Sequence, residues 1–288
     1  YLKLRNTLRI LAGNLYDFDP TCDAVPVEGM EELDRFAVAR YAAAAARIVK
    51  AYEAYDYPAI FQMLNALATV DLSAFYVDVS KDRLYTLAPG SRGRRSAQSA
   101  MFTMVDGLAR LVAPILPVTA DELWRNLPGE RDESVHLATF ADLPGPVDPA
   151  LVDRWERLLA VREAVNVEIE KLRKAKVVGK SLEAAVELKA RGSLLDLLRR
   201  HVDDLPTLFI VSEVTVAEAG AGDIAAEGSA GGLAVYREAE GSGAAITVSR
   251  AGGVRCDRCW RYVPEVVHAA GREGVCGRCA QALDEVGL

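Results

Sequence analysis

Leu4, Leu8, Leu11 and Leu15 recur three or four residues apart, which places them on one face of a first α-helix, and Asp17-Phe18-Asp19-Pro20 breaks the pattern. A second helix is predicted from near Met30 through an alanine-rich stretch to Ala54. A third follows Pro58 and turns Ile60, Leu64, Leu67 and Leu72 inward. A fourth covers roughly Arg95 to Val112 and is closed by Pro114 and Pro117, after which Thr119 is placed to cap a short helix through Asp121, Glu122, Leu123 and Trp124. Residues 1–145 therefore read as an antiparallel helical bundle.

The breaker cluster Leu143-Pro144-Gly145-Pro146 marks a domain boundary, and Asp148-Pro149 opens a long charged helix from about Leu151 to Lys176. Beyond it the periodicity changes. Ala185 to Lys189 alternates as a strand does, Leu194 to Arg199 is helical, and Leu208-Phe209-Ile210-Val211 with Val214-Thr215-Val216 returns to strand. The stretch 217–232 is alanine, glycine and acid with almost no bulky side chain, so a mobile loop is expected there. Short strands near Ala234 and Ile246 complete a small α/β unit, 146–250. The predicted class is mainly α, ending in a four-cysteine ribbon at 251–288.

Composition narrows the picture without changing it. About half the residues are hydrophobic, 51%, enough for packed cores. No uninterrupted apolar run reaches the roughly 20 residues of a membrane span, and the N-terminus lacks the charged-then-apolar order of a signal peptide, so a cytoplasmic, membrane-free, monomeric protein is expected. The absence of an initiator methionine, with Tyr1 already inside a helical pattern, suggests a piece of something longer. The net charge of −7 argues against a surface that grips nucleic acid everywhere. Positive charge is instead concentrated at Ser91-Arg92-Gly93-Arg94-Arg95-Ser96 and in the tail from Arg255 to Arg278.

The strongest motif is Cys256-x2-Cys259 followed by Cys276-x2-Cys279, the spacing of a four-thiolate zinc site. Two knuckles would close a tetrahedron with no position left for water, so the Zn2+ would be structural. Two disulfides are the alternative, against which the paired spacing and a cytosolic setting both argue. Cys22 stands apart and receives no role. Arg258 and Arg278, one inside each knuckle, either offset the cluster's charge or contact RNA. Trp260 either covers the metal, the reading that spacing alone favours, or offers a stacking face for an unpaired base beside Arg258 and Arg261.

Several stretches together resemble the bacterial isoleucyl-tRNA synthetase family, class I aminoacyl-tRNA synthetases, from just after the catalytic core to the C-terminus. They are Arg5-Asn6-Thr7, Asn14 to Pro20, Asp71 to Tyr76, Lys81-Asp82-Arg83-Leu84-Tyr85, Arg94-Arg95-Ser96-Ala97-Gln98, Ala113 to Trp124, Gly179-Lys180-Ser181-Leu182-Glu183-Ala184 and Cys256 to Trp260. The resemblance implies an anticodon-binding helical domain at 1–145 and a zinc module closing over the anticodon loop. It ties Lys81 and Trp260 to tRNA recognition, and less directly Arg92, Arg94 and Arg95; Arg83, Arg258 and Arg261 join them as candidate tRNA-binding residues. It also implies isoleucine tRNA and the N-terminal catalytic core of the same enzyme as partners.

The family's His-x-Gly-His and Lys-Met-Ser-Lys-Ser motifs do not occur in this sequence, and neither does the editing domain. ATP and Mg2+ would therefore belong to the missing core, and this chain alone would be catalytically inactive. His136, His201 and His268 are scattered without a nucleophile pattern and are expected to be structural or exposed. Two rivals remain: a nucleic-acid-binding zinc-ribbon protein such as a DNA-repair glycosylase, and a purely structural zinc module that docks the tail.

Overall fold

The first helix, α1 (Leu2–Gly13), buries Leu8 and Leu11 as its spacing predicts, and the sequence's breaker at Asp17 to Pro20 follows it. The structure is a computed structural model that describes residues 1–142, 148–220, 223, 233–239, 242–268 and 272–287. It divides into two units, Tyr1–Val152 and Asp153–Leu288.

In the first unit α2 (Glu32–Glu53) packs its alanine-rich face inward, burying Ala37, Ala44, Ala45 and Ile48. The next helix is continuous but changes character: α3 (Tyr57–Ala66), a π-helical segment (Leu67–Val77) and α4 (Asp78–Thr86). The N-cap is Asp56, whose carboxylate accepts the Ala59 N–H at 3.1 Å. Ile60, Leu64 and Leu67 are buried at helical spacing, and the next buried leucine, Leu72, lies five residues on. The wider π-turn, with its i→i+5 bonds, keeps both on the inner face. The Thr7 hydroxyl reaches across from α1 to the Ala68 carbonyl at 3.2 Å. This helix is long and apolar enough to span a membrane by length and composition alone, and its inner face is committed to the bundle.

α5 (Arg92–Val112) runs through the middle of the unit with Met101, Met104, Val105 and Leu108 fully buried, and α6 (Pro117–Arg125) packs against it. Thr119 does not cap α6: Pro117 holds the first turn, where its missing N–H costs nothing, and Thr119 lies within the helix.

A buried carboxylate joins these helices. Asp34 of α2 is fully buried and accepts the Tyr76 hydroxyl at 2.7 Å, the Ser96 hydroxyl at 2.5 Å and both terminal nitrogens of Arg83 at 2.8 and 2.6 Å. One acid thus ties α2, the π-segment, α4 and α5. The carboxylate beside it holds the Arg83 guanidinium's pKa above its ordinary value against burial, which alone would lower it.

A second clasp joins the end of α1 to the start of α5. Asp17 accepts Arg94 at 2.6 Å and the Gln98 amide at 2.7 Å, while Arg95 donates to the Asp17 carbonyl at 2.8 Å and pairs with Asp23 at 3.2 Å. Burial pushes the Asp17 carboxyl up, but the bonds from Gln98 and Arg94 and the arginine charges outweigh it and leave the pKa below 3.8.

The second unit begins in α7 (Pro149–Lys174), which turns Trp155, Leu158, Val161, Val165 and Ile169 inward. A four-stranded sheet follows in the order β2-β1-β4-β3, from β1 (Ala184–Arg191), β2 (Glu213–Glu218), β3 (Leu233–Ala239) and β4 (Ser242–Arg250). β1 pairs parallel with β2 and antiparallel with β4, Leu188 lying opposite Ile246. α8 (Ser193–Arg200) covers the sheet with Leu194, Leu195, Leu197 and Leu198.

Leu208 to Val211 is not a strand. Pro206 opens the short helix α9 (Leu205–Phe209), and Ile210 ends it in the left-handed region at φ 57°. Of the loop expected at 217–232, Ala217 and Glu218 belong to β2; 221–222 and 224–232 lie outside the described residues. His201 is buried, edge-on to Trp155 at 5.6 Å with Nδ1 3.2 Å from Asp204, while His136 and His268 are exposed.

Replacing Asp34 by Ala leaves the Arg83 cation buried without its carboxylate, and should lower the unfolding free energy by about 3–5 kcal/mol in a urea titration. Asp17 has a folded pKa below its unfolded one, so its contribution is present above about pH 4 and is lost as the pH falls through the folded value. Asp17→Asn should flatten that acid-side loss in a pH series of thermal melts.

Candidate metal centre and nucleic-acid interface

The tail has too few apolar side chains for an ordinary core. Its buried cluster is the four cysteines themselves with Val275, and Val263, Ala280 and Leu283 pack around them. Two strands, β5 (Val254–Arg255) and β6 (Tyr262–Val263), pair antiparallel across the first knuckle, and α10 (Gly277–Asp284) starts directly after Cys276. The Trp260 N–H donates to the Cys256 carbonyl at 2.9 Å, and the Cys276 N–H points at Cys256 Sγ at 3.2 Å. Gly274, at φ 77°, lets the second knuckle come close: a β-carbon there would lie 2.4 Å from an Asp257 carboxylate oxygen.

The four sulfurs lie within 4.8 Å of one another and all four residues are buried, a group that could hold a metal ion. A tetrahedron built on metal–sulfur bonds of about 2.3 Å has edges of about 3.8 Å. Cys259 Sγ and Cys276 Sγ are 3.8 Å apart. The Cys259 thiol is lowered to about 4, first by the hydrogen bond from Cys279 and, against burial, by the Arg261 backbone, Cys256 and the Arg278 side chain. That same bond and burial push Cys279 up, and burial first pushes Cys276 up. Negative charge on one sulfur opposes ionisation of its neighbours until a cation compensates it.

Trp260 follows the second cysteine in a backbone conformation that favours glycine, φ 64°, at a cost of about 1–2 kcal/mol. It does not cover the sulfurs as a core residue would: 51% of its surface is exposed. Lys180 is its one cation–π neighbour among the described residues, with Nζ 4.8 Å from the ring centroid. Arg261 donates to the Thr207 hydroxyl at 2.9 Å and so secures the tail to α9.

The sequence-selected cations divide into two groups. Lys81 is half exposed and among the described residues pairs only with Asp78 on its own helix, a contact weak enough to exchange for a phosphate. Arg92 is exposed, with one bond to the Gly29 carbonyl at 3.1 Å. Arg83, Arg94 and Arg95 are instead engaged by Asp34, Asp17 and Asp23. Cys22 is an exposed free thiol far in sequence from the other cysteines.

Residues 34–188 match the family described as the anticodon-binding domain of tRNA ligase. The chain belongs to that family. This anticodon-binding chain is also 42% identical over 285 residues to the isoleucine–tRNA ligase of Geobacter sulfurreducens, covering 98% of the chain and 30% of that protein. It is 40% identical over 287 residues to that of Syntrophotalea carbinolica and 42% identical over 294 residues to that of Symbiobacterium thermophilum, again over 30% of each. The chain thus spans about 30% of the length of the curated relatives it matches, along their C-terminal part. The family match includes Lys81, the basic start of α5 and Lys180; the four cysteines fall outside it but inside the alignments with the relatives.

Because the cysteines are the tail's own core, Cys276→Ser should abolish stoichiometric metal binding and expose 254–287 to proteolysis. The first unit should keep its thermal transition. Metal analysis and limited proteolysis read the two effects separately.

Proposed function

We propose that this chain recognises the anticodon of an isoleucine tRNA, as the RNA-gripping portion of a cytoplasmic isoleucine–tRNA ligase. The attachment of isoleucine at the expense of ATP, with Mg2+, is then the work of an N-terminal catalytic core. The observation that carries the reading is the combination, in one anticodon-binding chain about 40% identical to such ligases along its whole length, of a four-thiol tail with a half-exposed tryptophan beside it.

In this reading 1–145 is the anticodon-binding bundle, 146–250 a junction, and 251–288 a zinc module. Four soft thiolates favour Zn2+ and leave it no open position, so the ion folds the tail and does no chemistry. Lys81 and Trp260 meet the RNA: Trp260 offers an unpaired base an aromatic face, and Lys81 offers a phosphate its ammonium. Arg92 adds positive charge to the bundle and Arg258 to the tail. Arg83, Arg94 and Arg95, held by carboxylates, set the positions of α4 and α5. The strained, outward-facing Trp260 favours RNA contact over a tail that serves only to dock.

A filter-binding titration with isoleucine tRNA and with the same tRNA carrying a changed anticodon tests this reading. The native anticodon should bind at least about tenfold tighter, about 1.4 kcal/mol. Trp260→Ala should weaken binding about ten- to a hundredfold with metal content retained, the loss of one stacking face worth about 1–3 kcal/mol. Equal affinity for the two tRNAs would remove anticodon recognition from this chain.

A further inference from the structure

The last turn of α7 and the segment that follows it form the most cationic stretch that the function above leaves unused. From Lys171 to Lys180 it carries Lys171, Arg173, Lys174, Lys176 and Lys180 with no acid among them, in a chain of net charge −7. Lys171 and Arg173 pair with Glu168 and Glu170 of α7, whereas Lys174 and Lys176 have no ion pair among the described residues. A helix C-terminus attracts cations, which accounts for the last turn of α7. It does not account for Lys176 or Lys180, which lie beyond the helix.

Lys176 holds the left-handed position, φ 58°, that closes α7: its N–H bonds to the Arg173 carbonyl and the Val177 N–H to the Leu172 carbonyl, both at 3.0 Å. Glycine ordinarily fills such a cap. Here a lysine takes it and is exposed. The turn beyond is anchored. Val178 is buried, the Gly179 N–H donates to Glu183 at 3.0 Å, and Ser181–Glu183 forms a 3-10 turn into β1.

Ser212 links that turn to the cysteine tail. Its hydroxyl donates to the Leu182 carbonyl and accepts the Tyr262 N–H at 2.7 Å. Leu182 lies two residues after Lys180, and Tyr262 two after Trp260. One hydroxyl thereby fixes the spacing of the two segments whose side chains meet, with Lys180 Nζ 4.8 Å from the indole centroid.

We propose that Lys180 and Trp260 form one composite nucleotide site, in which an unpaired RNA base stacks on the indole and its adjoining phosphate is held by the Lys180 ammonium. Lys174 and Lys176 extend the positive track along the RNA strand, and Ser212 is the positioning residue. The proposal rests on the anticodon-binding reading and adds to it a partner for Trp260 in the Gly179-Lys180-Ser181-Leu182 motif. In the free protein the ammonium rests against the ring, a cation–π contact that also keeps it close to the place of the phosphate.

The test is binding of isoleucine tRNA to the full chain across a salt series, for wild type, Lys180→Ala, Lys180→Arg, Trp260→Ala and the double variant Lys180→Ala/Trp260→Ala. Lys180→Ala should weaken binding about three- to tenfold at low salt and make the slope of log affinity against log salt shallower by about 0.7–1, the signature of one lost phosphate contact. Lys180→Arg should restore the slope. The double variant should lose less than the sum of the two single losses, and metal content and melting midpoint should not move. Wild-type binding with an unchanged affinity and slope in Lys180→Ala would overturn the composite site and leave the anticodon reading standing. Failure of the metal-loaded wild type to bind tRNA would overturn both.

Discussion

Four cysteine sulfurs packed within 4.8 Å impose the constraint on which the tail's architecture depends. They occupy the place that leucine and valine hold elsewhere, so the segment 254–287 cannot bury enough apolar surface without whatever compensates their charge. From that cluster follow the short β5–β6 pair, the start of α10 at Cys276, and the left-handed turn that points Trp260 outward. The exposed indole is thus a consequence of the cysteine cluster's geometry, and in the proposed function that cluster supports a recognition surface without itself doing chemistry.

The helical unit solves a comparable problem with a carboxylate. Asp34 is accommodated in the interior because Arg83, Tyr76 and Ser96 converge on it, and each of these partners brings a different segment. Such a cluster contributes more to alignment than to net stability, since the cost of desolvating two ions consumes much of their attraction. What it fixes is the direction of α4, two residues from Lys81, and of the basic first turn of α5. In both units a buried polar group sets the position of the surface expected to meet RNA.

Much of this was legible in the chain. The amphipathic spacing of α1, α2 and α5 and the paired cysteine knuckles are local patterns whose physical meaning needs no tertiary context. The π-segment left only the five-residue step from Leu67 to Leu72. The apolar run Leu208 to Val211 is equally compatible with a strand and with a buried helical turn; Pro206 in the first turn of α9 decided for the turn. Pro117 likewise displaced Thr119 from the capping position. The destinations of Arg83 and Arg94 could not be read, because their aspartates lie 49 and 77 residues away in sequence. Lys180 has a signal in the chain, the acid-free run after Glu170, but the ring it meets lies 80 residues away in sequence.

The measurement that bears most directly on the account is hydrogen–deuterium exchange of the metal-loaded chain with and without isoleucine tRNA. Slowed exchange is expected in three places together: α4 around Lys81, the turn 174–183, and the first knuckle with Trp260. Protection confined to other surfaces, or bound tRNA that leaves both the knuckle and the 174–183 turn unprotected, would contradict it.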